Sequence, residues 1–280
     1  MPSKSSKTLT AVLVLPALVL TGCPRDREEA LTLGEATAAL EQASDAGQAE
    51  GLTAASVDLS TSFTIGQAVN DGALELRTFI GSQLPCADIS LEDATLTVVY
   101  GAKPGNCRYR AHAFEGTHVI AIERNDDAEV HVHHEWIGFT NGVVSLDGTA
   151  DATWSFTEAT RRVKHTSQWR HVQSGRVGQG SGDRVQSLLA GGLAEGIQVD
   201  GERTWEGERG RWDLGIDGVQ MRWTEPVPQA GRYTLSAPFD KSLAMSFRRV
   251  DDDTISVTVS GPRRDFSFDV SKLGVIAERE

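Results

Sequence analysis

The 280-residue sequence predicts an α+β fold that is mainly β: a large curved antiparallel sheet, or an incomplete barrel or sandwich, with N-terminal helices packed on it. Two observations carry this prediction. Residues 33–84 have apolar side chains at helical spacing, whereas residues 92–272 alternate between apolar and polar side chains. Asp-Gly and Asn-Gly pairs recur between the alternating stretches and mark turns. We therefore expect residues 33–280 to form a single domain.

The helical part is expected to contain two helices. Residues 32–50 are rich in Ala, Glu and Gln, and their apolar side chains recur every three or four positions. This pattern predicts a short surface helix that Gly47 and Gly51 end. A second helix is predicted over about residues 64–84, where Pro85 ends it.

The β part is expected to form about a dozen short strands. Alternation is clearest in residues 95–100, 118–122, 129–133 and 254–259. It is typical of antiparallel sheets that have one buried and one solvated face. Residues 174–182, which include four glycines, are instead predicted to form a flexible, solvated loop.

The first 22 residues have the organisation of a signal peptide. Lys4 and Lys7 precede an apolar run over residues 11–20, and two small residues then precede Cys23. The apolar run is about half of the ~20 residues that a transmembrane helix needs. A permanent membrane span is therefore not expected here.

The segment Leu20-Thr21-Gly22-Cys23 resembles the lipobox of bacterial lipoproteins. The resemblance implies cleavage before Cys23, a thioether-linked diacylglycerol on its sulfur, and an acyl chain such as palmitate on the new amino group. Residues 1–22 are then the signal peptide, and residues 23–32 are a lipidated tether. A plain secretory signal with an incidental cysteine is the alternative. The implied location is the bacterial cell envelope, on the periplasmic or outer-membrane side.

With Cys23 lipidated, two cysteines remain, Cys86 and Cys107. An even pair in an oxidising, exported compartment predicts a disulfide between them. Closing a loop of about 20 residues contributes roughly 3 kcal/mol to the free energy of unfolding in the chain-entropy model. Two free thiols or a metal-binding pair are the alternatives, but no CxxC spacing is present.

Histidines provide the sharpest candidate for a metal site. In a strand, His131 and His133 point the same way, and a hairpin turn would bring His118 near them, whereas His134 faces the other side. A divalent-metal site is one interpretation. An exposed polar strand face is the other, and we expect it because no third ligand is fixed by spacing.

Tryptophans are spread over the predicted strands. Aromatic rows on a sheet stack on sugar rings or line lipid cavities in some proteins, but they fill cores more often. We therefore expect core packing for all six. They are Trp136, Trp154, Trp169, Trp205, Trp212 and Trp223.

The composition limits the class of function. The net charge is −12 and no basic run is present, so nucleic acid is not an expected partner. No nucleophile motif or other catalytic constellation is found, so we do not expect an enzyme, and no cofactor is expected.

Three functions remain. The leading one is a membrane-anchored lipoprotein with a structural or interaction role in the cell envelope. Its partners are then the membrane, reached through the lipid anchor, and envelope proteins or lipids. The alternative is a periplasmic carrier for lipid or another amphiphile, because helices that lead into a many-stranded sheet look like the half-barrel carriers of lipoproteins or lipids. A metal-dependent enzyme at the histidines ranks third.

Overall fold

The computed structural model describes residues 29–109, 112–222 and 225–277. A single-turn 3₁₀-helix spans Gly192–Ala194. The helices and strands, in chain order, are α1 (Leu33–Leu59), α2 (Val69–Gln83), β1 (Asp88–Glu92), β2 (Thr95–Tyr100), β3 (Arg108–Tyr109), β4 (His112–Ala113), β5 (Glu115–Asn125), β6 (Glu129–Thr140), β7 (Val144–Ser155), β8 (Thr160–His171), β9 (Val177–Leu188), β10 (Ile197–Gly207), β11 (Gly210–Met221), β12 (Ala230–Ala237), β13 (Lys241–Arg249), β14 (Thr254–Gly261) and β15 (Arg264–Ser271).

Within these residues, thirteen strands form one antiparallel sheet. Its order is β1-β2-β5-β6-β7-β8-β9-β10-β11-β12-β13-β14-β15, so each of these strands pairs with the next one along the chain, except that β2 pairs with β5. Strands β3 and β4 pair separately. The sheet does not close, because β1 and β15 lie at opposite ends of this order. The predicted fold class, a large antiparallel sheet with N-terminal helices packed on it, is confirmed.

The alternation of side chains decides which face of each strand is buried. In β14, Ile255, Val257 and Val259 point into the core, whereas Ser256 and Thr258 between them remain partly exposed. Most strands in the middle of the sheet are longer than the sequence predicted, since β6, β7, β8 and β9 each have 12 residues. Because these strands are long, the sheet extends far enough along the strand direction to cover a helix that lies across the strands.

The glycine-rich segment that the sequence predicted as a loop is largely a strand. Val177–Leu188 forms β9 and pairs with both β8 and β10. A Cβ atom on Gly178 would lie 2.4 Å from the Trp169 ring, and one on Gly182 would lie 2.5 Å from the His165 ring. Glycine is needed at these positions because rings from β8 lie across β9. The prediction of a flexible loop was therefore wrong.

Helix α1 is longer and more buried than the sequence predicted. It begins with a capping box, in which Thr32 and Glu35 accept hydrogen bonds from each other's backbone N–H groups. It continues through Gly47 and Gly51 and ends at Leu59. Packing against the sheet stabilises a helix beyond its local propensity, so these glycines do not end it. The predicted short surface helix was wrong in both length and exposure.

Ion pairs fix α1 across the inner face of the sheet. Successive pairs join Glu35 to Lys241 of β13, Asp45 to Arg176 beside β9, and Asp58 to Arg161 of β8. These acidic residues do not share one side of a helix with 3.6 residues per turn, so the sheet curves around α1. The helix therefore crosses the sheet from β13 at its N-terminus to β8 at its C-terminus.

Helix α2 covers the first strands of the sheet. Leu76 and Ile80 are fully buried, and the helix packs on β1, β2 and β5. It ends just before Pro85, as the sequence predicted. The disulfide between Cys86 and Cys107, with Cα atoms 5.4 Å apart, then joins the chain after α2 to the segment before β3. The predicted disulfide is confirmed.

Candidate ligand-binding site

A cavity of about 370 Å³ lies between α1 and the second half of the sheet. Its size is within the range of ~300–1,000 Å³ that is usual for small-molecule sites, near the lower end. Most of its wall is apolar, and strands β10 to β15 each supply part of it. The apolar side chains on these strands are Ile197, Val199, Ile216, Met221, Met245, Phe247, Val257 and Val270.

The helix side of the cavity is formed by small residues. Gly47 and Gly51 both line it, one turn apart, together with Ala43 and Ala54. A Cβ atom on Gly47 or Gly51 would meet no atom within 4 Å. Glycine inside a helix costs about 1 kcal/mol relative to alanine. Both glycines therefore disfavour the helix, and both lie where they leave space between the helix and the sheet.

A buried charged cluster lies at the β9 and β10 side of the cavity. Arg184 and Arg203 are 4 % and 6 % exposed, and both form ion pairs with the single carboxylate of Glu50 on α1. Arg203 also donates a hydrogen bond to the Ala46 carbonyl (3.1 Å), and its guanidinium lies 5.3 Å from the centre of the Trp205 ring. Glu50 is the ion-pair partner of two arginines at once.

Burial makes the positive charge of this cluster unfavourable. Loss of solvation, and to a smaller extent the charge of Arg203, lowers the pKa of Arg184 to about 9. Burial also lowers the pKa of Arg203. Arg184 nevertheless stays protonated at neutral pH. The two arginines partly offset the rise that burial causes in the pKa of Tyr233, which also lines the cavity.

A second ion pair adjoins the first. Arg161 pairs with Asp58 on α1, and its Nε donates to the Gln186 side-chain oxygen at 2.7 Å. All three residues line the cavity. This pair holds one positive and one negative charge, so it is balanced, in contrast to the cluster around Glu50.

The predicted metal candidates do not come together. Strands β5 and β6 pair as expected, but His118 lies on the buried face, whereas His131 and His133 lie on the outer face and are partly exposed. His131 contacts Glu129 at 3.2 Å, and His133 contacts Asp151 at 2.7 Å. Among the described residues, no group of three His, Cys, Asp or Glu side chains is arranged to hold a metal ion.

His118 pairs instead with His134, which faces inward as predicted. The His118 Nε2 and His134 Nδ1 atoms are 3.0 Å apart, and the Tyr100 hydroxyl lies 3.5 Å from His118 Nδ1. Both imidazoles stack with Trp136, whose Nε1 donates to the Ser56 hydroxyl on α1 at 2.9 Å. Burial lowers the pKa of His118 to about 3 and holds that of His134 well below its ordinary value.

Tryptophans in the described residues pack in the core, as the sequence predicted. Trp136, Trp169, Trp205 and Trp212 are buried, and Trp154 packs on the core from a partly buried position. None of these five lines the cavity. Trp223 lies outside the described residues.

The predicted lipobox, Leu20 to Cys23, also lies outside the described residues. Within the three described ranges, no helix has the length and apolar character needed to cross a membrane. Comparison with protein-family models, with curated proteins and with solved structures found no match. The function must therefore be inferred from the cavity and the residues around it.

Proposed function

We propose that this chain is an amphiphile-binding protein of the bacterial cell envelope and that its cavity holds one apolar chain of the ligand. The observation that carries this proposal is the apolar space between α1 and strands β10 to β15, kept open by Gly47 and Gly51. A ligand site is typically concave, mostly apolar and already formed, with a few polar groups at fixed positions. The cavity has each of these properties.

The volume of the cavity restricts the ligand. At about 370 Å³ it is small for a binding site, so a single acyl chain is a better match than a lipid with two. Burial of apolar area at about 25 cal/mol per Å² provides the driving force for the chain to enter. We therefore assign fatty acids and other single-chain amphiphiles as the ligand class.

Gly47→Leu and Gly51→Leu test this proposal. Each places a leucine side chain in the cavity without removing any contact, because nothing lies within 4 Å of a Cβ at either position. Calorimetric titration with monolauroylglycerol, below its aggregation concentration, should show saturable 1:1 binding with a negative heat-capacity change. Both variants should weaken binding at least about tenfold, which corresponds to ~1.4 kcal/mol.

Gly34→Leu is the matched control for these variants. Gly34 also lies in α1 with no atom within 4 Å of a Cβ, but it is exposed and does not line the cavity. We expect it to bind monolauroylglycerol like the unchanged protein. Absence of saturable binding, or equal weakening by all three substitutions, contradicts the proposal.

We also propose that the protein is held at the membrane by a lipid on Cys23. The support is the sequence Leu20-Thr21-Gly22-Cys23 behind an apolar run. Several acyl chains exceed what stable anchoring requires. In metabolic fatty-acid labelling, Cys23→Ser should lose the label and leave the membrane fraction, whereas Cys86→Ser should keep both. A Cys23→Ser protein that remains labelled contradicts the anchor.

The structural or interaction role in the envelope, which the sequence favoured first, remains a prediction. It needs no cavity, so the glycines of α1 are unexplained by it. That role is supported if the cavity binds no ligand and if an envelope protein that crosslinks to the unchanged chain no longer crosslinks after surface substitutions. The metal-dependent enzyme ranks last, because His118 is on the opposite face of the sheet from His131 and His133.

A further inference from the structure

The charges around the cavity do not balance. Its wall contains four arginines and three carboxylates, although the whole chain carries a net charge of −12. Among the charges that line the wall, the excess is at Glu50, the shared ion-pair partner of Arg184 and Arg203. Glu225 is paired with Arg222 and also with Arg249, which does not line the cavity. The Nε atoms of Arg184 and Arg203 are buried and have no hydrogen-bond partner among the described residues.

An unbalanced buried cation is costly. Removing an ion from water carries a large desolvation penalty, which a partner of opposite charge must offset. Here one carboxylate offsets two guanidinium groups, and both arginines also border an apolar cavity. An anion in the cavity would supply the missing negative charge. Guanidinium groups are well suited to this, because their planar set of donors matches the oxygens of carboxylates and phosphates.

The remaining cavity charges are less suited to this role. Arg161 is paired with Asp58, and its Nε already donates to Gln186. Arg222, near the other end of the cavity, is 41 % exposed, so water solvates its charge. Arg184 and Arg203 are therefore the residues whose positive charge an anionic ligand would best neutralise.

We infer that the cavity selects amphiphiles with an anionic head group, a carboxylate or a phosphate, which lies against Arg184 and Arg203 while the apolar chain lies along strands β10 to β15. This inference rests on the proposed function, since it assigns the head group of the ligand in the same cavity. Arg203 is held over the Trp205 ring and on the Ala46 carbonyl, so its position is fixed before a ligand enters. Such preorganisation favours binding, because little ordering remains to be done.

Three ligands whose chains each contain twelve carbons, the carbonyl carbon included, test the inference: laurate, dodecyl phosphate and neutral monolauroylglycerol. Calorimetric titration at pH 7.5 should give roughly tenfold or greater preference for an anionic ligand over the neutral one, as expected for hydrogen bonds to a charged group. The anion with the greater preference identifies carboxylate or phosphate as the head group. Acetate, which has no chain, should not bind measurably.

Arg184 variants separate charge from packing. Arg184→Gln leaves the balanced pair of Arg203 and Glu50, so the preference for laurate over monolauroylglycerol should fall to near onefold. Arg184→Lys keeps the charge and should retain most of the preference. Glu50→Gln removes the internal competitor for both arginines and should increase the preference. Circular dichroism establishes which of these variants fold, and any one of the three that folds is decisive.

Equal binding of laurate and monolauroylglycerol, each still weakened by Gly47→Leu, overturns the anionic head group but leaves the amphiphile site intact. A preference that survives in Arg184→Gln and does not increase in Glu50→Gln also overturns it. Acetate binding as tightly as laurate shows a plain anion site and overturns the inference. If laurate, dodecyl phosphate and monolauroylglycerol all fail to bind, the proposed function itself is overturned.

Discussion

The two sides of helix α1 meet the same sheet in different ways. On one side, Ala46, Ala49 and Thr53 face the Trp169 and Trp205 region, and the space left between them is only about 20 Å³. On the other side, Gly47 and Gly51 face strands β10 to β15 across about 370 Å³. We call these the packed side and the cavity side. Only one of the two is filled.

The difference comes from both the helix and the sheet. α1 has small residues on both sides, but its glycines, Gly47 and Gly51, line only the cavity side. On the packed side, large rings span the distance between helix and sheet. On the cavity side most side chains are valine, isoleucine and methionine, which are shorter, and Tyr233 and Phe247 leave the remaining space open. A fold of this kind can therefore change from packed to hollow by a few exchanges of aromatic for aliphatic side chains.

Removal of a ring from the packed side should have the largest effect. Trp212 is fully buried, stacks on Trp205 with ring centres 6.0 Å apart, and meets Phe239 edge-on. We expect Trp212→Ala to lower the free energy of unfolding by about 3–5 kcal/mol, since it leaves a large void. Urea denaturation measures this loss.

Phe247→Ala is the comparison on the cavity side. Phe247 lines the cavity, so part of its ring already faces empty space and fewer contacts are lost. We expect a smaller loss of stability than for Trp212→Ala. If the two losses are equal, the two sides do not differ in packing as the structure indicates.

Loss of the disulfide should have the next largest effect. It closes the loop between α2 and β3, and neither cysteine lines the cavity. Cys86→Ala with Cys107→Ala should lower the free energy of unfolding by roughly 3 kcal/mol. Ligand affinity of the protein that remains folded should be unchanged. An identical urea midpoint before and after reduction would contradict this expectation.

Acidification should lower the free energy of unfolding through two buried histidines, His118 and His165. Histidines titrate near pH 6.5 in an unfolded chain, whereas burial lowers the pKa of His118 to about 3 and that of His165 to about 4. Between these values the unfolded chain binds more protons than the folded one. The contribution of these histidines to the free energy of unfolding is therefore fully present above about pH 6.5. It falls toward pH 4, by up to about 1.4 kcal/mol per pH unit for each histidine.

His118→Gln should flatten this dependence. Glutamine does not titrate, so this variant loses the proton uptake that accompanies unfolding at position 118. Urea denaturation at pH 7.0, 6.0 and 5.0 measures the slopes, in a range above the ordinary titration of Asp and Glu. A slope for His118→Gln as steep as that of the unchanged protein would show that the buried neutral imidazole of His118 does not cause the effect.

Much of the fold follows from the sequence, because its signals are local and repeated. The alternation in residues 254–259 and the turn residues between strands predicted the antiparallel sheet, and Pro85 marked the end of α2. Two errors share one cause. The sequence predicted that Gly47 and Gly51 end the first helix and that residues 174–182 form a loop. These glycines are instead placed by contacts or spaces that only the tertiary structure creates.

The cavity could not be predicted in the same way. Its charged cluster joins α1 to β9 and β10, and Glu50 is more than 130 positions from both arginines in the chain. One signal was present: in β10, Arg203 occupies the same face as Val199 and Trp205, where an apolar residue is expected. A charged residue at an inward position of a strand indicates a buried partner or a ligand site.

The smallest effect should come from filling one atom's worth of space in the cavity. Gly47 has helical backbone geometry, and a Cβ atom there meets nothing within 4 Å. Gly47→Ala should therefore raise the free energy of unfolding by about 0.5–1 kcal/mol, because alanine is the better helix former. Ala49→Leu, two positions along on the packed side, should instead lower it by about 1–3 kcal/mol through overpacking. Thermal unfolding measures both changes in stability. Changes of opposite sign are the sharpest evidence that α1 has one filled side and one open side, whereas changes of the same sign would mean that the two sides are packed alike.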